Sequence, residues 1–115
     1  MANQGVTTII YPVRDAARAK TLYRRLLGID PYVDEAYYVG YRIGNQEVGL
    51  DPNGHSQGMT GAVGYFQVAD IRNELQLLLD AGGQVQQDVK DVGGGKLTAI
   101  ALDADGNVVG LMQDP

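Results

Sequence analysis

Cysteine is absent from this 115-residue chain, which excludes disulfides, thiolate catalysis and cysteine-ligated zinc or iron–sulfur centres. Histidine is nearly absent: His55 is the only one, and with no identifiable partners it gives no serine–histidine–acid set. No apolar run approaches the roughly 20 residues that span a bilayer, so no membrane partner is expected. The first residues, Met1 to Gly5, are polar and carry no charged n-region followed by an apolar stretch. A cytoplasmic location is the expectation. Basic residues are in deficit, 9 against 14 acidic ones, for a formal net charge of −5. Such a surface repels phosphate backbones, so nucleic acid is not an expected partner, whereas a cationic small molecule is favoured.

Glycine is what the chain has in excess, 16 of 115 residues. These glycines fall at segment ends and inside strand-like runs, the pattern of short strands joined by tight turns. The length suits one compact domain, 1–115, with an internal repeat. Thr8-Ile-Ile-Tyr-Pro-Val-Arg-Asp15 matches Val63-Gly-Tyr-Phe-Gln-Val-Ala-Asp70 in shape, each an apolar run closing on Val-x-Asp. A helical pattern follows each aspartate. Ala19, Leu22, Tyr23, Leu26 and Leu27 make one apolar face, and Ile71, Leu75, Leu78 and Leu79 make its counterpart. Asp15 and Asp70 are placed as N-caps, and Gly28 and Gly83 as left-handed exits.

Strands are expected over Tyr37–Ile43 and Glu47–Asp51, around the turn Gly44-Asn45. In the second half they are expected over Gln84–Val92, Leu97–Asp103 and Val108–Gln113, with a turn at Asp105-Gly106-Asn107. Both halves close on one tripeptide, Val48-Gly49-Leu50 and Val109-Gly110-Leu111. The repeat therefore runs as module one over about 5–52, a linker over about 53–59 and module two over about 60–115. Gly93-Gly94-Gly95 before Lys96 lacks the strand–loop–helix context of a phosphate loop and reads as a hairpin turn.

Tyr11-Pro-Val-Arg-Asp15, Ala19-Lys-Thr-Leu-Tyr23 and Leu27-Gly28, with Phe66-Gln-Val-Ala-Asp70 and Asp105-Gly-Asn-Val-Val-Gly110, resemble the vicinal oxygen chelate superfamily. That superfamily includes glyoxalase I, extradiol dioxygenases, and fosfomycin and bleomycin resistance proteins. The resemblance implies an α+β fold of two βαβββ modules whose curved sheets enclose a cavity, usually completed by a homodimer. It also implies four metal-ligand positions, which fall here on Thr8, Gly49, Val63 and Gly110. None is a good ligand, and one histidine cannot build a two-histidine site. No metal or other cofactor is expected, although a carboxylate-only magnesium or manganese site stays open.

Residues two apart in a strand share a face. If Gly49 and Gly110 point inward, then Thr8, Ile10, Glu47, Val63, Tyr65 and Met112 do so too. Side-chain-free glycines at those two places either leave volume for a bulky ligand or relieve crowding. Tyr37 and Tyr41 are candidate stacking residues, with half-buried packing as the competing reading. Glu47 is the candidate general base or cation partner, with a solvated position beside a turn as the alternative. Three function classes stay open. The first is a metal-independent protein sequestering a hydrophobic or cationic small molecule. The second is a lyase, isomerase or dioxygenase-family enzyme, metal-free or with a carboxylate-bound metal. The third is a degenerate dimerisation module.

Overall fold

A computed structural model describes residues 3–115, which contain two βαβββ modules and so the expected α+β fold. The first module runs β1 (Asn3–Pro12), α1 (Ala16–Leu27), β2 (Val33–Glu35), β3 (Tyr38–Ile43) and β4 (Gln46–Asp51). The second runs β5 (Val63–Val68), α2 (Ile71–Asp80), β6 (Gln84–Asp91), β7 (Leu97–Leu102) and β8 (Val108–Gln113). By contact the chain divides into two compact units. One comprises residues 8–62; the other joins residues 3–7 to residues 63–115. The unit boundary thus falls inside β1, not at its start.

In the first unit the strand order is β2-β3-β4-β1. Residues 8–12 of β1 run parallel to β4, Thr8 opposite Glu47 and Ile10 opposite Gly49, and β3 is antiparallel to β4 with Gly40 opposite Gly49. Helix α1 starts where the Asp15 carboxylate accepts the Arg18 amide at 3.1 Å, satisfying one of the helix's free donors. It ends at Gly28, whose φ of 73° is left-handed and whose amide returns to the Arg24 carbonyl. Ala19, Tyr23 and Leu27, one stripe at four-residue spacing, cover Val39, Tyr41 and Leu50. Leu22 and Leu26 lie beside that stripe and are exposed, so the apolar face is narrower in contact than in sequence. Burying a side chain the size of Leu50 stabilises by roughly 1.5–3 kcal/mol.

Tyr41 is fully buried in this core, on the helix side of the sheet. Its hydroxyl is buried with no hydrogen-bond partner. Burial first, then Asp34 and Asp30, raise its pKa above the ordinary tyrosine value. An unmet buried hydroxyl offers no stability, so Tyr41→Phe should leave the urea midpoint unchanged or raise stability by up to ~1 kcal/mol. A loss larger than ~1 kcal/mol would mean that the hydroxyl is doing something its surroundings do not reveal.

In the second unit the order is β5-β8-β7-β6, with β5 parallel to β8 and Tyr65 opposite Gly110. Val68, Ile71, Leu75, Ala99, Ala101 and Leu111 form its core beneath α2. Asp70 caps α2 through the Asn73 amide, and Gln113 accepts the Ile71 amide. The exit from α2 differs from the expected one. Gly82, with φ of 105°, takes the left-handed conformation, not Gly83. Gly83 is needed for space instead, since a Cβ there would lie 2.9 Å from the Leu78 carbonyl oxygen. The three glycines 93–95 all have positive φ and make the β6–β7 turn.

The segment expected as a linker, 53–59, is a built loop of the first unit. It holds a 3₁₀ turn, His55–Gln57, and a buried Gly54 whose Cβ would sit 2.7 Å from Pro12 Cβ. No helix among the described residues is long and apolar enough to cross a membrane.

Candidate functional site

Alternation sends Val39, Tyr41, Val48 and Leu50 toward α1, which leaves Tyr38, Gly40, Arg42, Glu47 and Gly49 on the opposite face of the first unit's sheet. Thr8 and Ile10 of β1 share that face through their register with Glu47 and Gly49. Glu47 is its centre. The carboxylate accepts the Tyr38 hydroxyl on Oε2 and the Tyr32 hydroxyl on Oε1. Arg42 Nη2 donates to Oε1 at 3.2 Å and to the Tyr32 oxygen at 3.0 Å, with its guanidinium 4.7 Å from the Tyr32 ring centroid. Only 14% of the Glu47 side chain is exposed, against 58% for Arg42. Three donors on a carboxylate so far withdrawn from water fix its orientation and satisfy its charge.

Two glycines build the shelf on which this network rests. Gly40 and Gly49 are direct cross-strand partners, and the Tyr38 ring lies over both. A Cβ on Gly40 would stand 2.9 Å from Tyr38 Cε2; one on Gly49 would meet the Tyr38 hydroxyl, Tyr38 Cε1 at 2.6 Å and Ile10 Cδ1 at 2.6 Å. Absence of side chains at these positions lets the phenol cross the sheet and reach Glu47. The second unit repeats the device more simply. Tyr65 sits opposite Gly110, whose Cβ would be 2.6 Å from Tyr65 Cδ2. The room at both glycines is therefore filled by the chain's own tyrosines, which is the crowding-relief reading of Gly49 and Gly110.

The structure gathers Thr8, Ile10, Glu47 and Gly49 on one face of the first unit. On the corresponding face of the second unit stand Tyr65, Gly110 and Met112 with Val63, and Val63 and Met112 are buried. Tyr41 is separated from both sets by its place in the core, and Tyr37 precedes β3 with a largely exposed side chain. Tyr38, Arg42 and Tyr32 are the residues that sequence reasoning passed over. The four positions that the family resemblance assigns to metal ligands offer one hydroxyl, one isopropyl and two glycines, and a carboxylate at Gly49 would collide with Tyr38. No group of three His, Cys, Asp or Glu side chains that could hold a metal occurs among the described residues. The residues present do not fit a resident metal.

Tyr38 has its pKa raised far above the ordinary phenol value, by burial first and then by its bond to Glu47. Burial also raises Tyr32 and Tyr23. A raised phenol keeps its proton in the folded state while the unfolded chain ionises near pH 10. The stabilisation is complete below that pH and is lost as pH climbs toward the folded value. Stability should therefore fall above about pH 10, by up to ~1.4 kcal/mol per pH unit for Tyr38 alone. Urea midpoints between about pH 9 and about pH 11 check this, and Tyr38→Phe should flatten the decline. An unchanged slope in that variant would place the effect elsewhere.

Residues 5–111 match the family model described as Glyoxalase/Bleomycin resistance protein/Dioxygenase superfamily. Among solved structures, a hypothetical protein from Bacillus halodurans C-125 is similar with a TM-score of 0.76 at 13% identity, covering 100% of this chain and 96% of its own. A glyoxalase/bleomycin resistance protein/dioxygenase superfamily member from Vibrio splendidus 12B01 aligns at 0.72 and 14% identity, over 98% and 99% of the two chains. Methylmalonyl-CoA epimerase from Mycobacterium tuberculosis aligns at 0.73 and 12% identity, over 99% and 90%. At these identities the likeness is one of fold. Comparison with curated proteins gives no match.

Proposed function

This chain is a member of the Glyoxalase/Bleomycin resistance protein/Dioxygenase superfamily, and we propose that within it the chain is a metal-independent small-molecule-binding protein. Its ligand is a planar hydrophobic or cationic compound. One observation carries the reading: at Gly49 and Gly110, two of the ligand positions that the resemblance implies, each unit has a glycine overlaid by a tyrosine ring. The tyrosine face of the first unit offers the exposed ring of Tyr32 for stacking, Tyr37 stands exposed just before β3, and Thr8 and Ile10 share the sheet face with Glu47. In the second unit Tyr65, lying over Gly110, stands on the equivalent face, where Val63 and Met112 are buried. The net charge of −5 favours a cation over an anion at long range. A homodimer, which the resemblance implies, and a cytoplasmic location belong to the same proposal, and sedimentation checks the dimer.

The test uses two planar aromatic cations, ethidium and crystal violet, with anilinonaphthalene sulfonate as the anionic control. Saturable binding of a cation should persist in excess chelator and raise the melting temperature as mass action requires. Tyr32→Ala should weaken it about five- to tenfold, the scale of one cation–aromatic contact. Binding that vanishes with chelator and returns with a divalent metal would overturn the proposal. So would the absence of saturable binding by either cation.

A second reading has its own observation. Glu47 and the Tyr38 phenol form a proton acceptor–donor pair on one sheet face, as a metal-free isomerase or lyase needs. Three Streptomyces coelicolor methylmalonyl-CoA epimerase structures, each in complex with 2-nitronate-propionyl-CoA, share the fold at 15% identity. Against catalysis stands the occupancy of Glu47, since a base engaged by three donors must release one before taking a proton. Deuterium uptake from solvent into methylmalonyl-CoA, lost in Glu47→Gln, would favour this reading over the first.

A further inference from the structure

The loop between β4 and β5 encloses chemistry that the tyrosine face does not use. Arg14, His55, Ser56, Met59 and Thr60 line a cavity of about 540 Å³, open to solvent, within the first unit. Two of the five are nitrogen bases or cations, two are hydroxyls, and none is acidic. In a chain of net charge −5 that composition stands out. Arg14 makes no ion pair among the described residues, although acidic side chains outnumber basic ones. Its guanidinium, an always-charged fork of five donors, is therefore uncommitted.

His55 supplies the second, independent observation. Its Nδ1 is shielded from solvent and has no hydrogen-bond partner. A neutral imidazole carries one donor and one acceptor nitrogen, so in either tautomer this buried atom has an unmet need. Buried polar atoms left so are uncommon, and a ligand's polar group is one way such a need is met. The loop itself is rigidly built. The Asn53 amide donates to Asp51 Oδ1 at 2.9 Å, the Ser56 hydroxyl to the Asn53 carbonyl at 2.8 Å, and the Met59 amide to the Gly54 carbonyl at 2.9 Å. Gly54 closes the loop onto β1, with Pro12 Cβ and Met59 Sδ both under 3 Å from where a Cβ would stand. The loop backbone is held in place before any ligand arrives.

We propose that this loop cavity is an oxyanion-binding site, taking the phosphate or carboxylate group of a small ligand against Arg14, His55 and the Thr60 hydroxyl. Guanidinium, imidazole and hydroxyl all donate hydrogen bonds to an anionic oxygen, and no lining carboxylate opposes it. The site goes beyond the tyrosine-face reading and does not rest on it, because the two use no residue in common.

His55 being the only histidine, its ring signals in a ¹H–¹⁵N spectrum of the untagged protein are unambiguous. Inorganic phosphate and malonate are titrated separately, with sodium chloride at equal ionic strength as the blank. Saturable shifts of the His55 ring with either anion, and none with chloride, are expected. Tighter binding of phosphate identifies a phosphorylated ligand, tighter binding of malonate a carboxylate one. Arg14→Gln should weaken the preferred anion at least about tenfold, the loss of a charged hydrogen-bond donor. Thr60→Val should weaken it a few-fold, and serves where the arginine variant changes the spectrum of the fold. Shifts that stay linear in anion concentration, or equal affinity in both variants, would overturn the proposal. Dye binding at the tyrosine face is read separately, so either idea can fail alone.

Discussion

Gly110→Ala should destabilise the protein by about 2–3 kcal/mol, and Gly49→Ala by about 1–2 kcal/mol, although each adds one methyl group. The difference lies in what each methyl strikes. At Gly110 the new carbon meets Tyr65 Cδ2 at 2.6 Å and Cγ at 2.8 Å, and the Gly64 carbonyl oxygen at 2.9 Å. The ring can turn away, but the carbonyl is part of β5, which pairs with β8 at this point, and cannot. At Gly49 the obstacles are the far ends of side chains, Tyr38 and the Ile10 Cδ1. These can move, at the cost of unseating the Tyr38 hydroxyl from Glu47. Second-site changes separate the cases. Tyr38→Ala should recover most of the repacking cost of Gly49→Ala, whereas Tyr65→Ala should leave much of the Gly110→Ala cost in place. Chemical denaturation of the four variants and two doubles reads this directly. Free tolerance of alanine at both positions would mean that the rings do not rest on the glycines. The crowding account of the two ligand-equivalent positions would then fail.

That pair of glycines shows where sequence reasoning reached and where it stopped. The order of elements was readable because each strand–helix step carries its own punctuation: Asp15 and Asp70 as caps, apolar residues at helical spacing, Gly28 past the first helix. Gly82 and Gly83 are adjacent, and local pattern does not tell which one turns left-handed and which one is there for room. The short strand β2, three residues long, has too few positions for alternation to register. The site itself was half legible. A two-residue turn at Gly44-Asn45 sets Ile43 opposite Gln46, and counting outward puts Arg42 against Glu47 and Gly40 against Gly49. Tyr38 follows from the same count, two residues before Gly40. The count also sends Tyr41 to the helix side, so the choice between the tyrosines was available from register. Tyr32 was not. It reaches Glu47 because the segment after α1 folds back so that the Tyr32 amide meets the Gly40 carbonyl, at 2.9 Å, and no local signal encodes that return.

Removing the Tyr38 hydroxyl or the Glu47 charge should each cost about 1–3 kcal/mol, and the two changes together should cost less than their sum. Tyr38→Phe leaves Oε2 of a carboxylate only 14% exposed without its donor, which is the expensive way to lose a hydrogen bond. Glu47→Gln keeps the shape but replaces one acceptor oxygen with an NH₂ donor that must face a phenol or a guanidinium. In the double variant neither partner waits for the other, so a coupling of about 1–2 kcal/mol is expected from the cycle. Arg42→Ala is the internal control. Its guanidinium is more than half exposed, and an exposed ion pair contributes less than ~1 kcal/mol, so that change should be mild and salt-sensitive. Additive single-variant costs would show that Tyr38 and Glu47 are neighbours rather than a unit. The coupling also bears on function, because Tyr38 keeps its place over Gly40 and Gly49 only while Glu47 holds its hydroxyl. Both single variants should therefore weaken aromatic-cation binding together. A Glu47→Gln protein that binds ethidium or crystal violet as tightly as the parent, yet exchanges no solvent deuterium into methylmalonyl-CoA where the parent does, would make the carboxylate a base.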